Sequence, residues 1–308
     1  MTIQHLFNEE KYITSHITQV IRDKLHYCLR STRRKSPSGV IIEGPTGVGK
    51  TTTCEREMML INQDYVQAGH PPPIYIVKSP TTPGTKQYLS KILVALGDHS
   101  PYSGTEQNLQ ERVIKQLRLK QVKVLIFDEF QQLIEKRSDG VIRHTLDDIK
   151  SISDDNQIAC IFVGVHGVNK IAKNNEQAAS RFAKIIRINY MGFDSPKWQK
   201  ITRKFMAAYF KAHSLDISNF GQYELCLRLY AATNGDLRLF VDLLDEATGF
   251  LTDPKKIKPL TLKSLNASYQ FLVREVRKTK VNPFTASIEA IETELKVEDY
   301  SKFEKESE

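Results

Sequence analysis

The chain has no apolar run approaching the roughly twenty residues that a membrane span requires. Its four cysteines, Cys28, Cys54, Cys160 and Cys226, are scattered, without the spacing of zinc ligands or of a disulfide framework. Residues 1–10 are polar and lack the apolar core of a signal peptide. These absences argue against membrane, secreted disulfide-rich and zinc-finger classes, and they predict reduced, mostly buried thiols in a cytoplasmic protein.

The composition, with 40% hydrophobic and 26% charged residues, is that of an ordinary globular protein. The net charge, however, is distributed unevenly along the chain. Residues 281–308 hold eight acidic residues and three lysines, a net charge of −5. Since the whole chain carries +8, residues 1–280 carry +13. A body this basic suits a polyanionic partner such as nucleic acid, although a basic surface kept for solubility is the alternative.

One stretch, Gly44–Thr51, matches the phosphate-binding pattern G-x-x-x-x-G-K-[ST] without a mismatch. A predicted strand at 39–43 leads into it and a predicted helix at 50–68 leaves it, so the helix N-terminus faces the phosphates. In this motif backbone amides surround the α- and β-phosphates, the lysine reaches the β- and γ-phosphates, and the threonine ligates Mg²⁺. The strand–loop–helix context disfavours an incidental glycine-rich loop. The predicted nucleotide-binding residues here are Gly44, Pro45, Thr46, Gly47, Val48, Gly49, Lys50, Thr51 and Thr52.

A second chemical element follows the buried apolar run that begins at Val124 and ends in Asp128 and Glu129. Asp128 is expected to hold Mg²⁺ through water or through Thr51. Glu129 is placed to orient and deprotonate the attacking water. The alternative is a surface Asp-Glu pair that ends an unrelated strand, which a phosphate loop in the same predicted sheet disfavours.

Three further residues are candidates for contact with the nucleotide. His166 follows the predicted strand at 158–164 and could sense the γ-phosphate, or it is a loop histidine without a role. Arg181, in the run 179–182, is predicted to lie at a subunit edge facing a neighbour's γ-phosphate, with a surface salt bridge as the alternative. Arg238 follows a turn glycine and the helix-capping Asp236, and projects from the first helical turn.

The order of the predicted elements is typical of an α/β fold with a parallel sheet, followed by an all-α subdomain. Predicted strands lie at 39–43, 74–78, 122–128, 158–164 and 185–188. Predicted helices lie at 3–30, 50–68, 84–97, 105–120, 143–151, 168–174, 195–213, 221–233, 236–251 and 261–275. The predicted organisation is a helical lead-in and basic linker at 1–36, a phosphate-loop core at 37–190, a helical lid at 191–276 and an acidic tail at 277–308.

The phosphate loop, the Asp-Glu strand and the two arginines together resemble an AAA+ ATPase. A narrower resemblance, to the TniB/TnsC group of transposition ATPases, is carried by Val163–His166 and by Asn175–Phe182. Those proteins have a Val-Gly-Thr loop and then a short helical stretch that ends in Glu-Arg-Phe or Arg-Arg-Phe. The resemblance covers about residues 20–275, and it departs from the group where Val165 replaces the sensing threonine.

The resemblance implies a bacterial, DNA-associated AAA+ protein that binds ATP and Mg²⁺, with a five-stranded parallel sheet and a small helical lid. It implies a transposition regulator that assembles on target duplex DNA as a ring or helical filament and recruits a transposase. In CRISPR-associated relatives it would also link a target-selection protein to the transposase. It further implies that Arg238 contacts nucleotide within its own subunit. Because Val165 replaces the sensing threonine, either His166 takes over that role or hydrolysis is slow without a partner.

Two other function classes stay open. One is a replication initiator or a clamp-loader-like ATPase, which usually carries a winged-helix domain after the lid. About thirty residues follow position 275, and we expect these to be too few for such a domain. The other is a signalling or secretion-associated ATPase that switches a protein partner, which would show no salt-sensitive duplex binding.

Duplex binding without sequence preference needs basic side chains directed at phosphates. The predicted region lies between the second and third strands, with a smaller site in the loop after Glu129. Any single residue among these could be an ordinary solvated charge. The acidic tail, with Pro283, Phe284 and Tyr300, is interpreted as a docking segment for a partner. The predicted DNA-binding residues are Lys86, Lys91, Tyr102, Arg112, Lys115, Arg118, Lys136 and Arg137.

Overall fold

A computed structural model describes residues 15–34, 37–168, 184–249, 258–273 and 280–297. Contacts divide the chain into two compact units. The α/β unit comprises residues 17–45 and 50–188, and the helical unit comprises residues up to 16, 46–49 and from 189 onward. The predicted Arg181, and the predicted helix at 168–174 beyond its first residue, lie outside the described residues.

The α/β unit is built on five parallel strands in the order β2-β3-β4-β1-β5. Every residue of β1, β3 and β4 is buried, because a parallel sheet is covered on both faces. Continuous burial explains why these strands are continuous apolar runs in the sequence, and the predicted five-stranded parallel sheet is confirmed. The strands are β1 Val40–Glu43, β2 Ile74–Lys78, β3 Val124–Asp128, β4 Ala159–Gly164 and β5 Lys184–Arg187.

The helices of this unit bury apolar faces. In the first helix, Ile17, Ile21, Leu25 and Cys28 recur at three- and four-residue spacing and are fully buried. A six-residue helix directly after the Asp-Glu pair was not predicted, and the next helix is longer than the predicted 143–151. The helices are α1 His16–Ser31, α2 Lys50–Gln67, α3 Thr85–Ala95, α4 Glu106–Leu119, α5 Gln131–Lys136 and α6 Asp139–Asn156.

The helical unit packs around its own apolar core, which includes Phe240, Leu243 and Leu265. Asp236 caps one of its helices by accepting hydrogen bonds from the backbone N–H groups of Arg238 and Leu239, as the sequence predicts. The helices are α7 Pro196–Ala212, α8 Gln222–Thr233, α9 Leu237–Thr248, α10 Leu262–Ser268, which continues into a π-helical turn at Tyr269–Val273, and α11 Ile288–Leu295.

The segment 280–297 belongs to this helical core, unlike the acidic docking tail that the sequence suggested. Phe284 and Ile291 are buried. The guanidinium of Arg228 donates to the backbone oxygens of Pro283 and Ala286 at 2.6 and 3.0 Å, and the Tyr223 hydroxyl donates to Glu292. Phe284 is therefore a core side chain and cannot serve as the predicted partner contact.

The four cysteines are buried and free of disulfides. Burial raises the pKa of Cys28, Cys160 and Cys226 to about 12, so these side chains remain protonated thiols. Among the described residues, no helix combines the length and the apolar character needed to cross a membrane.

Candidate nucleotide site

Lys50, the first residue of α2, lies at the base of the phosphate loop. It is buried, and its Nζ donates hydrogen bonds to the backbone oxygens of Gly44 and Pro45 at 2.8 and 2.7 Å. A Cβ on Gly44 would lie 2.3 Å from the oxygen of Ile188, so a side chain has no room there. Position 44, where the loop leaves β1, therefore has room for glycine but not for a side chain. The ammonium group of Lys50 is held at the N-terminus of α2.

Asp128, the last residue of β3, is a buried carboxylate next to the start of α2. The Thr51 hydroxyl and the backbone N–H of Glu129 hydrogen-bond to it, while the charges of Glu129 and Glu55 lie nearby. Burial raises the pKa of Asp128, and the two hydrogen bonds oppose that rise only in part. A buried carboxylate beside a hydroxyl and two further carboxylates is an oxygen donor set of the type that Mg²⁺ prefers.

Glu129 lies in the turn between β3 and α5 with an exposed side chain. Its backbone is left-handed, with φ 55°, which is uncommon for a residue other than glycine. The side-chain amide of Gln131 donates a hydrogen bond to its carboxylate and accepts one from the backbone N–H of Val165 at 3.3 Å. The side chain of Gln131 thereby connects Glu129 to the loop after β4. His166, which follows Val165 in this loop, is exposed.

The tip of the phosphate loop, residues 46–49, belongs to the helical unit. Gly47 and Gly49 have φ values of 80° and 91°, which glycine adopts without strain. The oxygen of Gly47 accepts from the backbone N–H of Arg238 at 3.3 Å, and the oxygen of Thr46 accepts from the Tyr190 hydroxyl at 2.8 Å. The N-terminus of α9 is therefore in contact with the loop tip, and the side chain of Arg238 is exposed there.

Two groups near the candidate site were missed from the sequence. Gln131 has no motif that marks it, because a glutamine two residues after an Asp-Glu pair is equally common on any helix start. Glu43, which directly precedes the phosphate loop, is buried and paired with Arg187 of β5, with 2.9 Å between Nε and Oε1. This ion pair fixes the end of β1 to its neighbouring strand.

The structure divides the predicted DNA-binding residues into two groups. Lys86, Lys115 and Tyr102 are exposed, whereas Lys91 is half-buried. The basic side chains of the other group bond to their own unit. Arg112 pairs with Asp98 and donates to the oxygens of Ser100 and Ser103, Arg118 donates to Asn156, Lys136 to the oxygen of Thr81, and Arg137 to the oxygen of Pro83.

The fold of most of the chain is similar to that of several solved proteins. The Aeropyrum pernix ORC1 protein, solved in complex with DNA, is 18% identical with a TM-score of 0.65, over 88% of this chain and 69% of that chain. The Aeropyrum pernix ORC2 protein, solved as ADPNP-ADP complexes, is 13% identical with a TM-score of 0.62, over 82% of this chain and 66% of that chain. Cdc6p from Pyrobaculum aerophilum is 14% identical with a TM-score of 0.60, over 89% of this chain and 72% of that chain.

The five-stranded parallel sheet, the phosphate loop between β1 and α2 and the helical C-terminal part together form the AAA+ P-loop NTPase fold. Residues 3–190 match the protein-family model described as "Bacterial TniB protein". This match spans more than half of the chain, and the protein belongs to the TniB family. No curated protein matches the chain significantly in sequence. The resemblance to TniB/TnsC ATPases inferred from the sequence is confirmed.

Proposed function

We propose that this protein is an ATP-dependent regulator of DNA transposition, which assembles on target duplex DNA and recruits or activates a transposase. The observation that carries this proposal is the TniB family match over residues 3–190, which includes the phosphate loop and the Asp-Glu strand. ATP hydrolysis controls the assembly, and it is slow until a partner stimulates it. A target-selection protein is the second partner that we propose.

Each residue of the candidate site has a proposed role in binding or hydrolysis. Backbone amides of the loop surround the phosphates, and the ammonium of Lys50 moves from the oxygens of Gly44 and Pro45 to the β- and γ-phosphates. Glu129 orients the attacking water and accepts its proton. His166 lies one residue beyond Val165 and is the proposed γ-phosphate sensor in place of threonine. Arg238, at the N-terminus of α9, contacts the nucleotide of its own subunit.

The residues present fit a bound Mg²⁺. Thr51 and Asp128 would hold it, since one supplies a hydroxyl and the other a buried carboxylate with carboxylate neighbours. Such a cation, bound together with ATP, would neutralise charge that develops on the phosphate oxygens. A bound cation would offset the free-energy cost of burying the Asp128 carboxylate.

Assembly on DNA is supported by charge. The net charge of +13 over residues 1–280 favours a polyanion, and Lys86, Lys115 and Tyr102 are exposed for contact with a phosphate backbone. Arg112 and Arg137 instead hold the loops around these residues in place. Arg181 is proposed to act on the nucleotide of a neighbouring subunit, which requires a ring or filament.

The test is assembly on random-sequence duplex DNA with a non-hydrolysable ATP analogue, followed by sedimentation and electron microscopy. Wild-type protein is expected to form large DNA-bound assemblies with the analogue and to release DNA as salt rises. Lys50→Ala should not assemble, whereas the matched surface variant Lys263→Ala should behave as wild type. Glu129→Gln should assemble with ATP itself and persist. A wild-type protein that stays monomeric on DNA with the analogue would contradict the proposal.

A replication-initiator-like ATPase is the second candidate, because the solved proteins that share the fold include ORC1 and Cdc6p. Such a protein would favour particular duplex sequences over random ones. Equal affinity for many random duplexes, combined with binding to a transposase, would favour the transposition role.

A further inference from the structure

The side-chain amide of Gln131 is bonded at both ends to elements of the candidate site. Its Nε2 donates to Oε2 of Glu129, and its Oε1 accepts from the backbone N–H of Val165 at 3.3 Å. The side chain is buried, with 7% of its surface exposed. A buried amide needs partners for both its donor and its acceptor, and here one partner is the proposed catalytic carboxylate.

The backbone around this amide is fixed. The N–H of Phe130 donates to the oxygen of Val163 at 2.9 Å, which ties the turn after β3 to the end of β4. The ring of Phe130 is fully buried and packs against Phe127, Phe162 and Tyr88. The backbone hydrogen bond and the packing of the Phe130 ring together fix this turn. The carboxylate of Glu129 therefore moves mainly by rotation of its own side chain.

The end of β4 is shaped to receive the Gln131 side chain. A Cβ on Gly164 would lie 2.5 Å from Oε1 of Gln131, well inside contact distance. Any other residue at position 164 would push the amide away from the N–H of Val165. Gly164 has no positive φ that would otherwise demand glycine, so the close approach of Gln131 is a reason for glycine there.

We propose that Gln131 is a positioning residue, which orients the carboxylate of Glu129. Through Gln131, this orientation depends on the position of the loop after β4. The amide group is planar and rigid, so its oxygen cannot follow Val165 without displacing the nitrogen that holds Glu129. A shift of the loop that carries His166 therefore turns Glu129. This inference rests on the proposed role of Glu129 in ATP hydrolysis, and it adds the group through which the β4 loop acts on that residue.

Two substitutions of Gln131 distinguish the contribution of its hydrogen-bond donor from that of its acceptor. Gln131→Met keeps the length and volume of the side chain but removes both hydrogen bonds. Gln131→Glu keeps an acceptor for the Val165 N–H and loses the donor to Glu129, since it places a second carboxylate there. Gln132→Met, one residue further along the same helix, is the matched control.

The experiment combines ATPase kinetics with amide hydrogen exchange at Val165 and thermal unfolding. Gln131→Met should lower kcat by about 10- to 100-fold with KM for ATP within about twofold, because a misaimed base affects the chemical step. Gln131→Glu should lose at least as much kcat. Exchange at Val165 should accelerate in Gln131→Met and stay slow in Gln131→Glu. A loss of kcat in Gln131→Glu with slow exchange at Val165 would therefore separate an effect on Glu129 from a loosened loop, which a merely structural role would not produce. If Gln131→Met does not fold, Gln131→Glu carries the kinetic test.

A double-mutant cycle with Glu129→Gln decides whether Gln131 acts through Glu129. Under single-turnover conditions, Glu129→Gln with Gln131→Met should hydrolyse ATP no more slowly than Glu129→Gln alone. A multiplied loss in the double variant, or full kcat in Gln131→Met, would overturn the positioning role while leaving the ATPase function intact. A wild-type protein that binds ATP without hydrolysing it would instead overturn the proposed function, and the positioning role with it.

Discussion

Asp128 in the α/β unit and Arg228 in the helical unit are both buried charged residues, yet their surroundings differ. Arg228 is 6% exposed, and its guanidinium bonds to Glu224 and to the oxygens of Pro283 and Ala286. Asp128 is 4% exposed and receives hydrogen bonds from a hydroxyl and one backbone N–H, while its charged neighbours Glu129 and Glu55 are also negative.

We interpret this difference as that between a structural charge and a ligand-binding one. A buried charge whose partners are supplied by the chain holds elements together, as Arg228 holds the segment 280–297 to α8. A buried charge surrounded by like charge destabilises the fold until a ligand of opposite sign arrives. By this criterion Asp128, at the carboxyl end of β3 and next to the phosphate loop, is the carboxylate that we propose as a cation ligand.

The largest stability effect should come from the structural charge. Arg228→Met removes three hydrogen bonds and leaves two carbonyl oxygens without that donor, so it should lower the free energy of unfolding by about 3 kcal/mol. Urea denaturation would measure it, with the exposed Arg143→Met as the matched control. Nucleotide affinity of the folded variant should be unchanged. A variant as stable as wild type would mean that Arg228 does not hold the C-terminal segment.

A smaller effect is expected at the loop tip, where Gly47 can be compared with Gly69, a glycine of nearly the same φ that follows α2. Gly47 and Gly69 have φ values of 80° and 79°, but a Cβ on Gly47 would lie 2.2 Å from Oδ1 of Asp236, and one on Gly69 would meet nothing within 4 Å. Gly69→Ala should cost about 1 kcal/mol from backbone strain alone, and Gly47→Ala about 2–3 kcal/mol.

Urea unfolding and ATP affinity would both be measured for this pair. Asp236→Ala, which also removes the N-cap of α9, should cost less stability in the Gly47→Ala background than in wild type, because there it also relieves the clash. Equal losses for Gly47→Ala and Gly69→Ala would contradict the contact between Asp236 and the loop tip.

The smallest effect concerns Asp245, a second buried carboxylate, in the helical unit. Burial, with a further contribution from Asp242, raises its pKa to about 6 from an ordinary 3.8. The folded state therefore binds this proton more tightly than the unfolded state, and the contribution of Asp245 to stability falls as pH rises from about 4 to above 6. Asp245→Asn should gain about 1 kcal/mol over wild type between pH 4 and pH 7.5.

Urea unfolding at a series of pH values checks this, with the exposed Asp64→Asn as control. Parallel pH profiles for wild type and Asp245→Asn would mean that the carboxylate is solvated in the folded protein.

Much of the α/β unit could be predicted from the sequence, because its strands are continuous apolar runs and its nucleotide residues lie in a local motif. Gln131 could not be predicted, since its importance comes from the approach of Val165, thirty-four positions along the chain. The helix at Ile288–Leu295 was missed because its burial depends on Arg228 and Tyr223, not on a long apolar pattern. At these positions the structure is determined by contacts between residues that are distant in the sequence.

The most direct test of this account compares Asp128→Asn with wild type in urea unfolding and in Mg²⁺-dependent binding of a fluorescent ATP analogue. Asn keeps the acceptor for the Thr51 hydroxyl but removes the buried charge. We predict that the variant is more stable by about 1 kcal/mol without ligands and that its nucleotide affinity no longer responds to Mg²⁺. A variant that is less stable than wild type and still binds nucleotide in a Mg²⁺-dependent manner would contradict the assignment of Asp128.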